Sequence, residues 1–296
     1  MDPKAANASP ALRAPFAAGD VAMLYDRRKR RYRIVLSAGG SFSTHVGTIS
    51  HDDIIGRTEG FHLATRKKSR LLVLRPTFQE AVLELPRQSQ VIYPKDLGAV
   101  LLRADLYPGA NVLELGLGSG ATAAAILRAV GPAGSLHSCE IREGIIEPAR
   151  RNVAELAPGA TNHVIEVRDA YAEPFPGEDL DRVIIDIPEP WRVTSAAADK
   201  LRLGGIILCY LPTVLQVHQA VMALTMDTRW RLVETVEVLE RPWHVSDQSV
   251  RPEHRMVAHT GFIVTARRCE PLPAGEEDDA PASDAASGEV ESGGEA

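Results

Sequence analysis

The chain has 296 residues, 45% of them hydrophobic, which is enough to bury one large core or one core with a small additional domain. No apolar run approaches the roughly 20 residues of a membrane span, and residues 1–11 lack a signal-peptide core, so we expect a cytoplasmic protein without membrane contact. Cys139, Cys209 and Cys269 lack the paired spacing of a disulfide framework or a zinc site, and we expect no bound metal.

Charge is unevenly distributed along the chain. The formal net charge is −6, but nine acidic residues and no Lys or Arg lie between residues 270 and 296. Without that segment 33 basic residues face 30 acidic ones, a net charge of +3. Residues 17–80 contain twelve Lys or Arg against six Asp or Glu. Such a basic region is typical of a surface that binds a polyanion.

The front of the chain predicts a small, mostly antiparallel β domain over residues 16–80, after a disordered segment at 1–15. Its β-rich runs are residues 21–25, 32–36, 42–48 and 71–74. Between them lie two basic clusters, residues 27–31 and residues 66–68. Basic loops on a β domain can contact a phosphate backbone, although many charge runs are only solvated surface.

Residues 86–96 connect this domain to the rest of the chain. Pro94 fixes the backbone after Tyr93, which would hold that ring at the entrance to the second domain. The ring could pack the linker against a sheet or form a wall on which a base stacks. A helix is predicted at residues 97–104.

The most informative stretch is N-V-L-E-L-G-L-G-S-G-A-T at residues 111–122. An apolar run, an acid, three alternate glycines and an alanine-rich helical pattern predict a strand, a tight turn and a helix. Ligands of open parallel sheets bind at this edge, beyond the carboxyl ends of the strands. The same letters could also form a purely structural turn.

Acidic residues near the glycines indicate which ligand to expect. Glu114 lies two residues before Gly116, where it would repel a pyrophosphate but attract the amino group of methionine. Glu140 ends the next predicted strand and can accept hydrogen bonds from ribose hydroxyls. Asp169, beside Ala170, ends the third and suits an adenine N6 amino group, or could cap a helix. The pattern favours S-adenosylmethionine over NAD.

The second half of the chain continues to alternate predicted strands and helices and then ends in a pair of strands. Strands are predicted at residues 135–139, 163–167, 182–185 and 203–210, with helices at 121–130, 144–155 and 213–226. Residues 230–239 and 257–267 predict a closing pair of strands joined by a loop rich in Arg, Trp and His. The tail at 269–296 is expected to be unfolded.

A proline-rich turn, D-I-P-E-P-W at residues 186–191, follows the fourth core strand. Pro188 and Pro190 prevent regular sheet pairing, and the turn opens on the same edge as the glycine loop. It could hold a ligand behind Asp186, or it could be a stiffened loop with Trp191 packed in the core.

Five motifs together resemble the TrmI family of tRNA (adenine-N1)-methyltransferases over residues 17–268. They are Q-V-I-Y-P-K-D at 90–96, E-L-G-L-G-S-G at 114–120, D-I-P-E-P-W at 186–191, Y-L-P-T at 210–213 and R-M-V-A-H-T-G-F at 255–262. The first, third and fifth are not general methyltransferase features. The resemblance implies an α/β, Rossmann-like class I S-adenosylmethionine-dependent methyltransferase fold, with a seven-stranded, mostly parallel sheet in a catalytic domain at residues 81–268.

The resemblance also implies methyl transfer to N1 of adenosine 58 in the T-loop of tRNA by a homotetramer. Its catalytic residues fall on Asp186, Tyr93 and Tyr210. The expected cofactor contacts combine this resemblance with the acids discussed above. They are Gln90, Glu114, Gly116, Leu117, Gly118, Ser119, Gly120, Ala121, Glu140, Asp169, Ala170 and Asp186. The expected substrate contacts combine the resemblance with residues of the first basic cluster. They are Tyr93, Arg27, Arg28, Lys29, Arg30, Pro188 and His259.

Two other functions remain open from the sequence. A methyltransferase of the same fold could act on a protein side chain or carboxylate, although such a substrate does not require a basic β domain. A non-catalytic tRNA-binding subunit would keep the fold but lose the site, whereas Glu114, Glu140, Asp169 and Asp186 are all present. A dehydrogenase is least favoured because of the acid before the glycines.

Overall fold

The computed structural model describes residues 14–85 and 90–271. The expectations for residues 1–13 and for the tail beyond residue 271 lie outside the described residues, as does the linker segment 86–89.

The front of the chain forms the small β domain. Its strands are β1 (Val21–Tyr25), β2 (Arg31–Val35), β3 (Ser41–Thr44), β4 (Gly47–Ser50), β5 (Phe61–Ala64) and β6 (Arg70–Leu74). An antiparallel sheet has the order β2-β1-β6-β5, and β3 pairs with β4. The run at 42–48, predicted as one strand, is a hairpin, because Thr44 pairs with Gly47 and leaves a two-residue turn.

The rest of the chain alternates helices and strands around one large sheet. Its elements are α1 (Phe78–Leu83), α2 (Pro94–Arg103), β7 (Asn111–Leu115), α3 (Ala121–Val130), β8 (Ser135–Glu140), α4 (Glu143–Leu156), β9 (His163–Val167), β10 (Leu180–Ile185), α5 (Thr194–Lys200), β11 (Leu201–Leu211), α6 (Val214–Met226), β12 (Trp230–Glu237), β13 (Trp243–Ser246), β14 (Ser249–Pro252) and β15 (Phe262–Arg268).

The predicted seven-stranded, mostly parallel sheet is confirmed. Its order is β12-β15-β11-β10-β7-β8-β9, in which β7 to β11 are parallel and β15 is antiparallel to both of its neighbours. The chain winds outward from β7 to β9 and then returns to β10 on the other side of β7. Ligands of open α/β sheets bind at this kind of switch point, at the carboxyl ends of the strands.

The sheet is buried on both faces. Val112 and its neighbours on the same face pack against α2, α3 and α4, whereas Leu113 and Leu115 point to the opposite face with α5 and α6. The alanine-rich helix α3 lies close to α4 at Gly120, where a Cβ would lie 2.9 Å from the carbonyl oxygen of Ala149. Gly120 therefore serves helix packing.

Several boundaries differ from the sequence predictions. Helix α2 begins at Pro94 instead of residue 97, because proline is tolerated in the first helical turn. Strand β15 begins at Phe262, five residues later than predicted. The expected loop between the closing strands contains a two-stranded hairpin, β13–β14, whose register pairs Val245 with Val250. The closing pair itself, β12 with β15, is confirmed.

Candidate active site

The carboxyl ends of the parallel strands surround a cavity of about 680 Å³. This volume lies within the range of small-molecule and cofactor sites. Ten residues predicted as site residues line it: Gln90, Tyr93, Gly116, Gly118, Glu140, Asp169, Ala170, Asp186, Pro188 and Tyr210. Gln90 and Tyr93 come from the segment that leads into α2, and the others lie at or just after the carboxyl ends of five neighbouring strands. One cavity therefore joins the predicted cofactor and substrate residues.

The glycine loop after β7 is in direct contact with the proline-rich turn. Gly116 has a φ of 95°, a conformation that favours glycine, and its N–H donates to the carbonyl oxygen of Cys139 over 2.9 Å. A Cβ at Gly116 would overlap the carbonyl oxygen of Asp186. The Asp186 N–H donates to the carbonyl oxygen of Leu115 over 2.8 Å. Loop and turn are thus held together through their backbones.

Glu140 is positioned as an ionised acceptor at the end of β8. Its Oε2 accepts a hydrogen bond from the N–H of Gly118 (3.1 Å), and its Oε1 accepts from the N–H (3.1 Å) and Nε (3.0 Å) of Arg142. Burial alone would raise the pKa of Glu140, but the hydrogen bonds from Arg142 and Gly118 outweigh it and lower that pKa. The carboxylate is therefore charged at neutral pH.

Asp169 lies just after β9, and its position fits both roles that the sequence suggested, a ligand contact and a cap. The side chain lines the cavity, and its Oδ1 also accepts a hydrogen bond from the N–H of Tyr171 over 2.8 Å. This contact fixes the turn after the strand, as a cap would. Oδ2 has no such contact among the described residues and remains available to the cavity.

Glu114 differs most from its sequence-based interpretation. It is fully buried beside the loop and does not line the cavity, and its Oε2 accepts a hydrogen bond from Ser138 Oγ over 2.5 Å. Burial raises the pKa of Glu114 to about 8, with smaller contributions from the charges of Asp186 and Glu140. At neutral pH it is a protonated acid behind the loop, so its predicted contact with a cofactor amino group is not prearranged.

Asp186 presents its carboxyl group to the cavity. The residue is solvent-exposed through the open cavity, while the neighbouring cavity wall desolvates its carboxyl group. Desolvation therefore raises its pKa to about 7, Glu140 adds to the rise, and Arg142 opposes it. A carboxyl group whose pKa lies near the working pH is typical of a functional site.

Two side chains hold the turn that carries Asp186. The hydroxyl oxygen of Tyr171 accepts a hydrogen bond from the N–H of Glu189 over 2.9 Å, and Gln216 Nε2 donates to the carbonyl oxygen of Pro188 over 2.9 Å. Pro190 is buried beneath the turn, whereas Trp191 is only half-buried. Tyr171 and Gln216 were not identified from the sequence, because only the fold brings them next to the turn.

Tyr93 and Tyr210 both reach the cavity. Tyr93 is the residue that caps the start of α2 and is half-buried, and Tyr210 lies at the end of β11 with little exposure. The Tyr210 hydroxyl donates to Oδ2 of the buried Asp96 over 3.2 Å. Asp96 and its partner Lys95 were also missed from the sequence, although both belong to the motif at residues 90–96.

The remaining predicted site residues lie outside the cavity lining. Leu117 is buried in the core, the Ser119 carbonyl oxygen accepts from Asn152 Nδ2, and Ala121 begins α3. His259 contacts Glu237 Oε1 (2.7 Å) and the carbonyl oxygen of Pro212 (2.9 Å) through its two ring nitrogens. The basic residues Arg27, Arg28, Lys29 and Arg30 are exposed on the turn between β1 and β2.

The described residues contain neither a metal-binding cluster nor a membrane-spanning helix. Within residues 14–85 and 90–271, no group of three or more His, Cys, Asp or Glu is arranged to hold a metal ion. Across the same residues, no helix has the length and apolar character that crossing a bilayer requires.

Comparison with known families agrees with this geometry. A family model described as the tRNA methyltransferase complex GCD14 subunit matches residues 70–261, and a second, described as TrmI-like N-terminal, matches residues 15–62. The chain belongs to the GCD14 family. The first match contains the whole cavity lining, and the second covers most of the β domain.

Two relatives that match nearly their whole length are named TrmI. The chain is 34% identical to tRNA (adenine(58)-N(1))-methyltransferase TrmI of Thermus thermophilus, over 83% of this chain and 96% of the relative. It is 30% identical to tRNA (adenine(57)-N(1)/adenine(58)-N(1))-methyltransferase TrmI of Methanocaldococcus jannaschii, over 86% of this chain and 98% of the relative. The resemblance to TrmI proteins is thus confirmed.

Two solved structures share the fold of this GCD14-family chain over most of its length. A structure named as an S-adenosylmethionine-dependent O-methyltransferase from Thermotoga maritima superposes with a TM-score of 0.82 and 27% identity, covering 88% of this chain and 97% of that one. The tRNA methyltransferase TrmI from Aquifex aeolicus superposes with a TM-score of 0.76 and 27% identity, covering 86% and 99%. The class I methyltransferase fold is therefore confirmed.

Proposed function

We propose that this protein transfers a methyl group from S-adenosylmethionine to N1 of adenosine 58 in the T-loop of tRNA, in the cytoplasm. The observation that carries the proposal is that Asp186 and two tyrosines line the same cavity as the glycine loop, Glu140 and Asp169. Relatives at 34% and 30% identity are named for this reaction.

The strand ends of β7, β8 and β9 suit the cofactor. Gly116 and Gly118 line the cavity without side chains, and an ionised Glu140 at the end of β8 suits ribose hydroxyls. Asp169 offers an acceptor to an adenine N6 amino group. S-adenosylmethionine, when bound, supplies an electrophilic methyl group on a sulfonium centre.

The ends of β10 and β11 suit the target adenine. Adenine N1 already has a lone pair, so attack requires no strong base, but methylation leaves the ring positively charged. An Asp186 carboxylate that accepts a hydrogen bond from the N6 amino group would stabilise this charge as it develops. Correct positioning of the ring between Tyr93 and Tyr210 supplies much of the remaining rate enhancement.

The target base must first leave its stack, because N1 lies on the pairing edge. Tyr93 and Tyr210 replace part of the stacking that an extruded adenosine loses. The exposed residues Arg27, Arg28, Lys29 and Arg30 extend from the β domain as phosphate contacts. Arg33 Nη2 donates to Glu155 Oε1 over 2.6 Å and joins this domain to α4. We infer that the β domain at residues 16–80 binds tRNA beside the catalytic domain at residues 81–268.

The decisive test is incubation of the protein with labelled S-adenosylmethionine and an unmodified tRNA transcript, followed by digestion and identification of the labelled nucleoside. We expect 1-methyladenosine at position 58, as in the relatives' names. A parallel reaction with a protein extract tests O-methylation, the activity for which the Thermotoga maritima protein is named. Base-labile label on protein with none on tRNA would reject the proposal in favour of that alternative.

We also propose that the active form is a homotetramer. In the β13–β14 hairpin, Trp243, Val245 and Val250 share one face and are 57%, 71% and 68% exposed. The opposite face, with His244 and Arg251, is more buried. An isolated hairpin with an open apolar face is unstable in water, so a second copy of the chain would cover it. Light scattering of Trp243→Glu should show a smaller assembly than the wild type, and an unchanged mass would exclude this contact.

A further inference from the structure

A buried polar network lies directly behind the wall of the cavity. Asp96 is fully buried, and its Oδ2 accepts hydrogen bonds from the hydroxyls of Tyr210 (3.2 Å) and Thr260 (2.5 Å). Its Oδ1 accepts from Lys95 Nζ over 2.8 Å. The Lys95 ammonium also donates to Thr260 Oγ1 (2.5 Å) and to the carbonyl oxygen of Val238 (2.7 Å).

This network is complete, because all three ammonium protons and both carboxylate oxygens have partners. A buried ion pair is costly unless its geometry and hydrogen bonds are well matched, and an apolar pair of similar size often stabilises a fold at least as well. Stability alone therefore does not explain why the network lies here. A fully satisfied network does give its members one fixed arrangement.

The network fixes the far end of the Tyr210 ring. The only hydroxyl proton of Tyr210 is donated to Asp96, away from the cavity, so it is not available to a substrate. Burial, together with the charge of Asp96, also raises the pKa of Tyr210, which keeps that proton in place. Behind the ring, a Cβ at Gly261 would lie 2.6 Å from the hydroxyl oxygen. The ring cannot move back without striking the backbone there.

The same helix start carries the second tyrosine of the cavity. Tyr93 caps α2 and Asp96 is its third helical residue, so both lie within its first turn. One rigid segment thus presents the Tyr93 ring and anchors the Tyr210 ring from the strand β11. The same turn of helix therefore contributes to the placement of both tyrosines.

We propose that Asp96, held by Lys95 and Thr260, is a positioning residue that fixes the Tyr210 ring at the spacing an adenine requires, and that Tyr210 acts through its ring and not through its hydroxyl. This inference rests on the proposed function. Asp96 does not line the cavity, so any effect of Asp96 on catalysis must pass through another group.

A double-mutant cycle tests this inference. Asp96→Asn, Tyr210→Phe, Tyr210→Ala and the double variant Asp96→Asn/Tyr210→Phe are assayed for kcat and KM on tRNA, with cofactor affinity measured by calorimetry. We expect Asp96→Asn and Tyr210→Phe each to lower kcat roughly ten- to hundredfold, because a displaced wall misplaces the base. The double variant should fall no more than about threefold below the worse single variant, and cofactor affinity should change little. Tyr210→Ala should lose more activity than Tyr210→Phe.

Tyr107→Phe is the matched control, because Tyr107 donates to Asp181 Oδ1 over 2.5 Å at the amino end of β10, away from the cavity. It also loses a tyrosine–aspartate hydrogen bond, but we expect its kcat to equal the wild-type value. If Asp96→Asn does not fold, Thr260→Val replaces it in the cycle, and Thr260→Ser should restore kcat.

The outcomes separate this inference from the proposed function. A wild-type protein that does not methylate tRNA contradicts the proposed function itself. An active wild type with Asp96→Asn at full kcat overturns only the positioning role. Losses that multiply in the double variant, or equal losses in Tyr210→Phe and Tyr210→Ala, would likewise overturn it.

Discussion

The carbonyl oxygen of Asp186 occupies the space that a side chain on Gly116 would need. The loop predicted to hold the cofactor and the turn predicted to hold the adenine therefore touch through their backbones. Any change in the path of the loop moves the carboxyl group that faces the substrate. This contact therefore couples the position of the glycine loop to the position of the proline-rich turn.

We expect Gly116→Ala to abolish methylation of tRNA, with at least about a hundredfold loss of kcat/KM, because the new methyl group strikes the turn and the φ of 95° disfavours alanine. Calorimetry should show weaker cofactor binding as well. Gly144→Ala is the control, since nothing lies within 4 Å of a Cβ there. Normal activity in Gly116→Ala would show that the contact is not functional.

The raised pKa of Asp186 predicts a pH dependence of the reaction. The ionised carboxylate is the stronger acceptor for N6, and only this form has the negative charge that offsets the positive charge developing on the ring, so kcat/KM should rise through a pKa of about 7 and level off above it. Asp186→Ala should lower kcat roughly a hundred- to a thousandfold, remove this dependence and leave cofactor affinity much less affected. Asp199→Ala, which removes an exposed carboxylate on α5, is the control. Equal losses of kcat and cofactor affinity in Asp186→Ala would assign Asp186 to the cofactor instead.

Glu114 predicts a pH dependence of stability. Its pKa is about 8 in the folded protein against 4.5 ordinarily, so the folded state binds more protons between these values and stability falls as the pH rises through that window. Glu114→Gln lacks this loss, and its Tm should exceed that of the wild type by several degrees at pH 9 but not at pH 5. Differential scanning calorimetry measures both values. Glu240→Gln, at an exposed position, should show no such trend. A difference in Tm for Glu114→Gln that does not change with pH would show that Glu114 is not the titrating group.

Charge reversal on the turn between β1 and β2 tests the tRNA surface. Replacing Arg27, Arg28 and Lys29 by Glu should weaken tRNA binding at least tenfold and reduce the slope of log K against log salt by about one for each phosphate that is no longer neutralised. Filter binding over a salt series measures both quantities. Arg267→Glu, an exposed residue near the opposite edge of the large sheet, is the control. A slope equal to that of the wild type would make this turn an ordinary solvated surface.

The sequence predicted the parts of the site that depend on strand ends. Gly116, Glu140, Asp169 and Asp186 each follow an apolar run, and parallel strands place their carboxyl ends at one edge regardless of other details. Local pattern and chain order were enough for these residues and for the seven-stranded sheet.

Contacts between distant segments could not be predicted in the same way. Asp96 meets a tyrosine 114 positions later, and nothing in either segment specifies that pairing. Both faces of the sheet are buried, so the alternation of side chains along β7 does not show whether Glu114 faces the cavity or the packed interior, and its contact with a cofactor stays a prediction. The β13–β14 hairpin was missed because its exposed apolar face resembles neither a core strand nor a polar loop.

Cys139, whose carbonyl oxygen holds the glycine loop, also lines the cavity. Burial raises the pKa of its thiol to about 12, so almost no thiolate exists at neutral pH. We therefore expect electrophilic nucleoside analogues to react with this buried thiol only slowly. Compounds directed at this cavity would instead gain affinity from reversible contacts with the two tyrosines and the strand-end acids.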